Sequence, residues 1–359
     1  MNNVTIKDIA KACGVGVSTV SRAINDQPDI NPETKNQILK VIRESNYVPN
    51  NSARNLKRTE SNAIAVLMKG MSNPLFHQMV DIFQREIQGK NYSFILQRVD
   101  YSEDEIEIAH QLIKEKKLKG IIFLGGYFSH SEESLREISV PFVLTTIVPN
   151  KRISPDIYSS VSVDDVTEAF KMVQHLLQYG YENIAIITAE ENEHSIGELR
   201  LQGYKKALKH SHVPVNEKLI CYTQAGEDPY TMKNGYDMTR KLLESGEKFS
   251  AIFAIADMIA VGACKALTEA GLRIPEDVAV AGFDGLDMSY YYTPSITTIK
   301  QPVTDMAKET IRIIFNQIEN EPCHEHKVFE AKLIVRESTR KKQEKRISTG
   351  GNDDREQTE

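Results

Sequence analysis

Residues 4–24 read VTIKDIAKACGVGVSTVSRAI and predict two short helices joined by a glycine turn. Thr5 and Asp8 have the spacing of a capping box, which places the start of a helix just after Thr5. Four apolar residues then recur at i, i+3, i+4 and i+7 and form one stripe: Ile6, Ile9, Ala10 and Cys13. This helix is expected to end at Gly14, and the second helix follows Gly16.

The second helix has two contrasting sides. Its inner side is expected to bury three apolar residues, which are Val17, Val20 and Ile24. The other side presents small hydroxyl groups and one guanidinium: Ser18, Thr19, Ser21 and Arg22. Such side chains suit contacts with base edges and phosphates. The solvated face of an ordinary helical hairpin explains the same pattern, so this helix alone does not decide between the two.

A third helix is predicted to begin at Asn31, a favourable N-cap that is followed by Pro32 at the first helical position. Its apolar residues are Ile38, Leu39 and Ile42. Two helices joined by a three-residue glycine turn and braced by a third form a helix-turn-helix unit. We therefore predict a DNA-binding domain over residues 1–46.

The segment 47–60 has the composition of a hinge that contacts DNA. A short helix over residues 51–58 would carry Ala53 and Leu56 on one side, with three basic residues around them: Arg54, Lys57 and Arg58. An apolar wedge among cations is typical of segments that enter the minor groove and open a base step. The charge distribution agrees, because residues 1–60 hold 9 Lys and Arg against 6 Asp and Glu, whereas the whole chain has a net charge of −6.

Beyond residue 61 the chain alternates between β-rich and helical patterns. The β-rich runs lie at 64–68, 94–97, 120–124, 142–147, 184–188, 251–255 and 278–283, and helical patterns separate them at 75–89, 103–117, 166–180 and 257–270. Strands that alternate with helices of about 10–15 residues indicate βαβ units and parallel sheets. We predict an α/β effector-binding and dimerisation domain over 61–340 with two similar lobes, about 62–163 and 164–290. The polar tail 341–359 is expected to be disordered.

Polar residues follow several of these strands, at the edge where open parallel sheets bind ligands. The predicted effector site combines charged, amide, hydroxyl and aromatic side chains: Asn73, Phe76, Thr146, Arg200, Tyr230, Asp257, Asp284 and Gln301. Such polar groups bind a polyol by hydrogen bonds, and aromatic rings offer sugars a flat face. The two carboxylates have a second interpretation, since an aspartate at a helix start is often a cap. Position alone favours capping for Asp257 and ligand binding for Asp284.

Three motifs resemble the signature of the lactose-repressor (LacI/GalR) family: VTIKDIA at 4–10, VSTVSRAIN at 17–25 and YVPN at 47–50. The resemblance continues to about residue 340. It implies that Val17, Ser18 and Arg22 read bases in the major groove and that Leu56 is the wedge of a hinge helix. The full implied set of DNA contacts is Thr5, Val17, Ser18, Thr19, Ser21, Arg22, Asn25, Tyr47, Asn50, Ala53 and Leu56. Gly16 departs from the serine usual in the family and is a slightly weaker N-cap.

The motifs LRLQGY at 199–204 and GFDG at 282–285 resemble the effector pocket of the same family. Ala256 and Thr146 depart from the asparagine and aspartate that many sugar-binding members carry, which implies a ligand that is less polar, smaller or differently placed than a simple hexose. The resemblance implies two lobes like those of periplasmic binding proteins. It also implies a homodimeric repressor of a carbohydrate-utilisation operon, which binds a palindromic operator under the control of a sugar or sugar derivative. A nucleobase, a nucleoside or a phosphoprotein corepressor is the alternative effector.

Other functions find less support in the sequence. No apolar run approaches the ~18 residues of a membrane span, and the N-terminus lacks the pattern of a signal peptide. Four scattered cysteines make no disulfide framework and favour a reducing cytoplasm. The motif CHEH at 323–326 offers metal ligands, but a solvated loop is favoured because no second cluster has zinc spacing. We predict neither a cofactor nor catalysis, since no nucleophile–base pair is recognisable.

Overall fold

A computed structural model describes residues 4–24, 29–45, 47, 62–70, 72–100, 102–126, 130–147, 153–191, 196–224, 228–320 and 323–340. The chain divides into two compact units, Met1–Ser61 and Asn62–Glu359. Several predictions lie outside the described residues: the contacts of Asn25, Asn50, Ala53 and Leu56, the hinge helix, and the tail 341–359. They stay predictions.

The N-terminal unit contains the three predicted helices: α1 (Ile6–Cys13), α2 (Val17–Ile24) and α3 (Pro32–Glu44). α1 begins where predicted, because the backbone amide and the hydroxyl of Thr5 donate to Asp8 at 2.8 and 2.6 Å. It ends at Gly14, whose φ of 65° is a left-handed conformation that glycine adopts without strain. Asn31 caps α3 by accepting hydrogen bonds from the amides of Glu33 at 2.8 Å and Thr34 at 3.4 Å.

Five buried residues form the centre of this small core: Ile9, Ala10, Val20, Ala23 and Ile38. The expected inward position of Val17 is wrong, since this residue is 42% exposed. Val17 is the first residue of α2 and lies beyond the core cluster in which α1, α2 and α3 meet. Its methyl groups therefore add to the exposed surface of α2.

The first lobe of the larger unit is built on a six-stranded parallel sheet with the order β2-β1-β3-β4-β5-β11. Its strands are β1 (Ala63–Lys69), β2 (Ser93–Val99), β3 (Leu118–Leu124), β4 (Phe142–Thr145), β5 (Ser159–Val163) and β11 (His326–Phe329). The helices α4 (Pro74–Gly89), α5 (Glu105–Lys116) and α6 (Glu132–Arg136) connect them. Alternate residues of β1 enter two different core clusters, so the central strand is buried on both faces.

The second lobe repeats the plan with the order β7-β6-β8-β9-β10-β12, in which only β12 is antiparallel. Its strands are β6 (Ile184–Thr188), β7 (Ile220–Tyr222), β8 (Ala251–Ala254), β9 (Ala279–Asp284), β10 (Thr297–Lys300) and β12 (Lys332–Ile334). The helices are α7 (Asp165–Gln178), α8 (Ile196–His210), α9 (Met232–Glu244), α10 (Asp257–Glu269) and α11 (Asp287–Tyr291).

The chain passes between the lobes three times: after β5, after β10, and between β11 and β12. The helix that follows the second crossing, α12 (Val303–Glu319), packs on α4 and on strands of the first lobe. Glu168 links the first crossing to the third, because its carboxylate accepts a hydrogen bond from the amide of Ala331 at 3.2 Å. Among the described residues, three chain connections therefore join the two lobes.

Every predicted β-rich run contains a strand, and each predicted helical pattern contains a helix. The fourth strand ends at Thr145, two residues earlier than predicted, because Thr146 turns into a left-handed conformation with φ of 68°. The sequence did not predict β5, whose serines are buried; the hydroxyls of Ser159 and Ser160 form hydrogen bonds with distant parts of the chain. The motif CHEH is a loop only in part, since His326 belongs to β11 and contacts the hydroxyl of Ser160 at 2.9 Å.

Candidate functional site

A cleft of about 710 Å³, including its opening to solvent, lies where strand ends of the two lobes meet. Seven of the eight predicted effector residues line it: Asn73, Phe76, Thr146, Arg200, Tyr230, Asp284 and Gln301. Each ends a strand, follows a strand or belongs to a helix that starts near the cleft. The carboxyl edge of the sheets therefore collects residues that are up to 228 positions apart, from Asn73 to Gln301.

Asp284 is the centre of the polar network in this cleft. It is the last residue of β9 and is buried, and its φ of 110° is rare for a residue with a side chain. Its carboxylate accepts hydrogen bonds from Asn73 Nδ2 at 3.0 Å and from Gln301 Nε2 at 2.9 Å. Arg200 Nη1 lies 3.7 Å from the same carboxylate. Such strained and convergent geometry is typical of ligand sites.

Arg200 is held in place on several sides. Its Nε donates to Asp165 at 2.8 Å, Nη1 donates to the carbonyl of Ile255, and the guanidinium lies 3.5 Å from the centre of the Phe283 ring. Both members of the Arg200–Asp165 pair are almost fully buried. Burial raises the pKa of Asp165 to about 6, although Arg200 acts in the opposite direction. Burial also raises the pKa of Asp284, again against the effect of Arg200.

Two hydrogen bonds cross the cleft from the first lobe to the second. Asn73 accepts from the amide of Leu75 at 3.0 Å as the N-cap of α4, and its Nδ2 donates to Asp284 on the opposite wall. The hydroxyl of Ser72 donates to Asp228, whose other oxygen accepts from the amide of Tyr230 at 2.9 Å. These hydrogen bonds therefore join the lobes at the cleft, in addition to the chain connections between them.

Thr146 presents a hydroxyl that lacks a partner. The residue is buried in the cleft wall, and among the described residues its Oγ1 makes no hydrogen bond. A buried hydroxyl without a partner costs about 1–3 kcal/mol, which a bound ligand can recover. Its left-handed backbone is the geometric reason why the side chain leaves the line of β4.

The position of the Phe76 ring in the cleft wall depends on two glycines, Gly70 and Gly125. The ring of Phe76 lies 3.2 Å from the position that a Cβ at Gly70 would occupy, and 3.1 Å from that position at Gly125. The φ angles of Gly70 and Gly125 are +90° and +72°, so a larger residue would be strained as well as crowded. Tyr230 lines the second lobe's side of the cleft. The two rings give the cleft an apolar component beside its carboxylates.

Asp257 does not line the cleft with the other seven residues. It is fully buried at the start of α10, and its Oδ2 accepts a hydrogen bond from the amide of Leu286 at 2.7 Å. Its carboxylate does not cap its own helix either, because the residue stands one position after the N-cap, Ala256. Burial raises the pKa of Asp257 to about 8, and the neighbouring Asp284 adds to this effect. The contact with Leu286 fastens the loop after β9.

Sequence reasoning missed three charged residues of the cleft wall, which are Lys69, Asp165 and Asp228. Lys69 ends the apolar strand β1 and forms a buried ion pair with Glu105 at 3.1 Å. Glu105 also contacts His130 Nε2 at 2.7 Å. The position of Lys69 at a strand end was an available signal, whereas its partner 36 residues away was not.

In the N-terminal unit, the predicted DNA contacts that the structure describes lie mainly on α2. Val17, Ser18 and Arg22 are exposed, whereas Thr19 and Ser21 are half-buried. Thr5 is exposed, and Tyr47 is half-buried against the small core. Arg22 Nη1 lies 3.5 Å from Asp29, and both side chains are well exposed. The exposed part of α2 thus offers apolar, hydroxyl and cationic groups together.

Comparison with known proteins agrees with this architecture. Residues 5–50 match the model of bacterial regulatory proteins of the lacI family, and residues 173–339 match a periplasmic binding protein-like domain. Over 335 residues the chain is 40% identical to the HTH-type transcriptional regulator MalR of Clostridium butyricum, covering 93% of this chain and 98% of MalR. The chain belongs to the LacI family. This LacI-family regulator is also 30% identical to catabolite control protein A of Priestia megaterium, over 89% of this chain and 94% of that protein.

Solved structures show the same fold. The transcriptional regulator CelR in complex with cellobiose is 27% identical, with a TM-score of 0.68, and 93% of this chain and 99% of CelR are covered. The lac repressor dimer bound to operator, at 23% identity, has a TM-score of 0.73 and covers 94% of this chain and 99% of its own. The predicted α/β fold, with a helix-turn-helix head and a two-lobed body, is confirmed. Among the described residues, no helix is long and apolar enough to cross a membrane.

Proposed function

We propose that this LacI-family regulator is a repressor that binds a palindromic operator as a homodimer and responds to a carbohydrate held between its lobes. The roles follow the predicted division of the chain: residues 1–46 read DNA, 47–60 form the hinge, and 61–340 bind the effector and dimerise. A two-fold operator requires a two-fold protein. The lac repressor neighbour is a dimer on its operator, which supports this assembly.

The DNA-reading surface is proposed on the exposed groups of α2. Val17 suits contact with a thymine methyl group, and Arg22 suits a bidentate contact with guanine. Hydroxyl groups come from Ser18, Thr19 and Ser21, and we propose that Thr5 and Tyr47 contact the sugar-phosphate backbone of the DNA nearby. The contacts of Asn25, Asn50, Ala53 and Leu56 are part of the same proposal. Because its partner is chromosomal DNA, we place the protein in the cytoplasm.

The carbohydrate effector is supported by one observation above all, which is the convergence on Asp284. Asn73, Gln301 and Arg200 all approach this buried carboxylate in a cleft that also holds the unpartnered hydroxyl of Thr146. Sugar hydroxyls can replace such hydrogen bonds one for one, while Phe76 and Tyr230 cover an apolar sugar face. CelR, with a TM-score of 0.68, is bound to cellobiose. We propose that the protein has no catalytic activity, in keeping with its family of regulators.

The test uses the full-length protein and its own operator, selected from random duplexes. Gel shifts with that operator then screen neutral sugars, sugar phosphates and nucleosides for one that changes the affinity, and calorimetry measures direct binding. We expect a saccharide to bind and to change operator affinity. Asp284→Asn should remove that response while operator affinity without ligand stays the same. If only nucleosides act, or if Asp284→Asn responds like the parent, the proposed effector site is wrong.

A further inference from the structure

We propose that the cleft accepts uncharged saccharides and excludes their phosphate esters, because its cations are already neutralised and its carboxylates are in excess. This inference rests on the proposed function and specifies the ligand class of the same site. It follows from the ion pairs of the cleft wall, from two helix ends that face the cleft, and from the contacts of Asp228.

The two cations of the wall each have a buried carboxylate beside them. Arg200 donates to Asp165 at 2.8 Å and lies 3.7 Å from Asp284. Lys69 lies 3.1 Å from Glu105 and donates to the carbonyl of Glu103 at 2.8 Å. A phosphate would have to compete with carboxylates that are already fixed at hydrogen-bonding distance. Neither cation therefore offers the ligand an uncompensated positive charge.

The wall contains more carboxylates than cations. Lys69 and Arg200 are opposed by Asp165, Asp228 and Asp284, and Glu105 lies directly behind Lys69. Within the described part of the chain Asp228 forms no ion pair; its partners are the amide of Tyr230 and the hydroxyl of Ser72. A carboxylate that is stabilised only by neutral donors repels an anion and attracts the hydroxyl protons of a neutral sugar.

Two helix ends at the cleft, those of α4 and α7, are closed to anions. A helix N-terminus binds phosphate through free backbone amides. At α4, however, Pro74 has no N–H, Leu75 donates to the side chain of Asn73 at 3.0 Å, and Phe76 donates to its carbonyl at 3.1 Å. At α7 the first helical residue is Asp165, and the preceding Asp164 caps the helix. Each of these two ends therefore presents either a carboxylate or amides that already donate hydrogen bonds, where a phosphate group would need free donors.

The experiment compares each neutral sugar with its own phosphate ester, using calorimetry and thermal shift on the full-length protein. The pairs are glucose with glucose 6-phosphate, maltose with maltose 6′-phosphate, and cellobiose with cellobiose 6-phosphate. We expect the neutral member of at least one pair to bind, and its ester to bind at least a hundredfold more weakly. An ester that binds as tightly as its parent overturns the inference but leaves a carbohydrate effector standing. If no saccharide of either kind binds, the proposed effector class itself fails.

Asp228→Asn tests the cause of the discrimination. The amide keeps the shape of the side chain and removes one negative charge, so the affinity for the ester should rise about tenfold relative to the neutral sugar, which corresponds to 1.4 kcal/mol of relieved repulsion. Asp81→Asn is the matched control, because Asp81 is exposed on α4 and outside the cleft wall. An unchanged ratio in Asp228→Asn, or an equal rise in Asp81→Asn, would contradict the electrostatic explanation.

Discussion

Asn73 joins the two lobes with a single side chain: its oxygen caps α4 of the first lobe at 3.0 Å, and its nitrogen donates to Asp284 of the second lobe at 3.0 Å. The two contacts serve different purposes. The cap stabilises a helix, whereas the bond to Asp284 holds one lobe against the other. Ligand hydroxyls that compete for Asp284 would therefore change the energy of closure, and the helix would keep its cap.

The two contacts of Asn73 can be separated by substitution. Asn73→Ser keeps a capping oxygen but cannot reach across the cleft. The melting temperature should therefore change little, while the average distance between the two lobes increases. Asn73→Ala loses both contacts and should cost an additional ~1 kcal/mol of unfolding free energy. Small-angle scattering reports the opening, and thermal unfolding reports the cap. Equal melting temperatures for the two variants would show that the cap contributes nothing.

Arg200 is expected to be essential for stability as well as for binding. Arg200→Ala leaves the buried carboxylates of Asp165 and Asp284 without their cation, and removing one partner of a buried pair costs about 3–5 kcal/mol. The double variant Asp165→Asn with Arg200→Ala removes one of those charges and should recover part of the loss. Thermal unfolding of the parent, both single variants and the double variant gives the coupling. Additive losses would mean that the two side chains do not stabilise each other.

Asp257 should make the stability of the protein depend on pH. Burial raises its pKa from an ordinary 3.8 to about 8, so the folded protein keeps the carboxyl protonated where the unfolded chain ionises it. The unfolded state then binds fewer protons, and the free energy of unfolding falls as the pH rises from about 4 to about 8. Asp257→Asn cannot ionise. Its melting temperature should therefore exceed that of the parent by an amount that grows between about pH 5 and pH 8.

The control for that series is Asp277→Asn. Asp277 is paired with Arg273 at 2.8 Å, and hydrogen bonds from Arg273 lower its pKa to about 2. Asp277 is therefore ionised above pH 5, and its contribution to the free energy of unfolding no longer changes with pH. Its substitution should shift the melting temperature by the same amount at every pH tested. A pH-independent difference for Asp257→Asn as well would show that this carboxyl is ionised in the folded protein.

Asp29 should weaken DNA binding through its pairing with Arg22. The two side chains lie 3.5 Å apart and are exposed, so the pair contributes at most ~1 kcal/mol. Asp29→Asn would release Arg22 and remove a charge near phosphate, and we expect operator affinity to increase about two- to fivefold. Glu44→Gln makes the same charge change beside Lys40, 3.9 Å away, and serves as the control. Gel shifts over a range of salt concentrations measure the operator affinity of both variants. Equal increases in affinity for Asp29→Asn and Glu44→Gln would show that only net charge matters.

The sequence predicted the parts of the fold that depend on local patterns. The sequence of β1 is a continuous apolar run because both of its faces are buried. The starts of α1 and α3 are marked by the capping residues Thr5 and Asn31. β5 could not be predicted in this way. Its serines are typical of a loop, and the hydroxyl of Ser159 accepts hydrogen bonds from Gln317 at 2.8 Å, 158 residues away, and from the amide of Glu325 at 3.0 Å. Only the assembled lobe supplies those partners.

The same distinction applies to the cleft. Asp284 and Thr146 follow apolar runs, so the rule that ligands bind at strand ends was sufficient to select them. Asp165 lies at a crossing between the lobes. It was not selected, because its role depends on the ion pair with Arg200, 35 residues later in the sequence. Asp257 has the same local signature as Asp284, yet it is fully buried and bonds to the amide of Leu286 instead of lining the cleft. Position along a strand does not reveal which way a carboxylate points.

The last strands of the chain complete both sheets, since β11 pairs with β5 and β12 pairs with β10. Neither lobe is therefore a continuous piece of the polypeptide, since the first sheet is complete only at residue 329 and the second only at residue 334. A premature stop before residue 326 would make edge strands of β5 and β10, which are paired on both sides in the whole protein, and newly unpaired edges promote aggregation. A frameshift or nonsense mutation late in the gene should thus produce insoluble protein that cells degrade, instead of a truncated repressor that still occupies DNA.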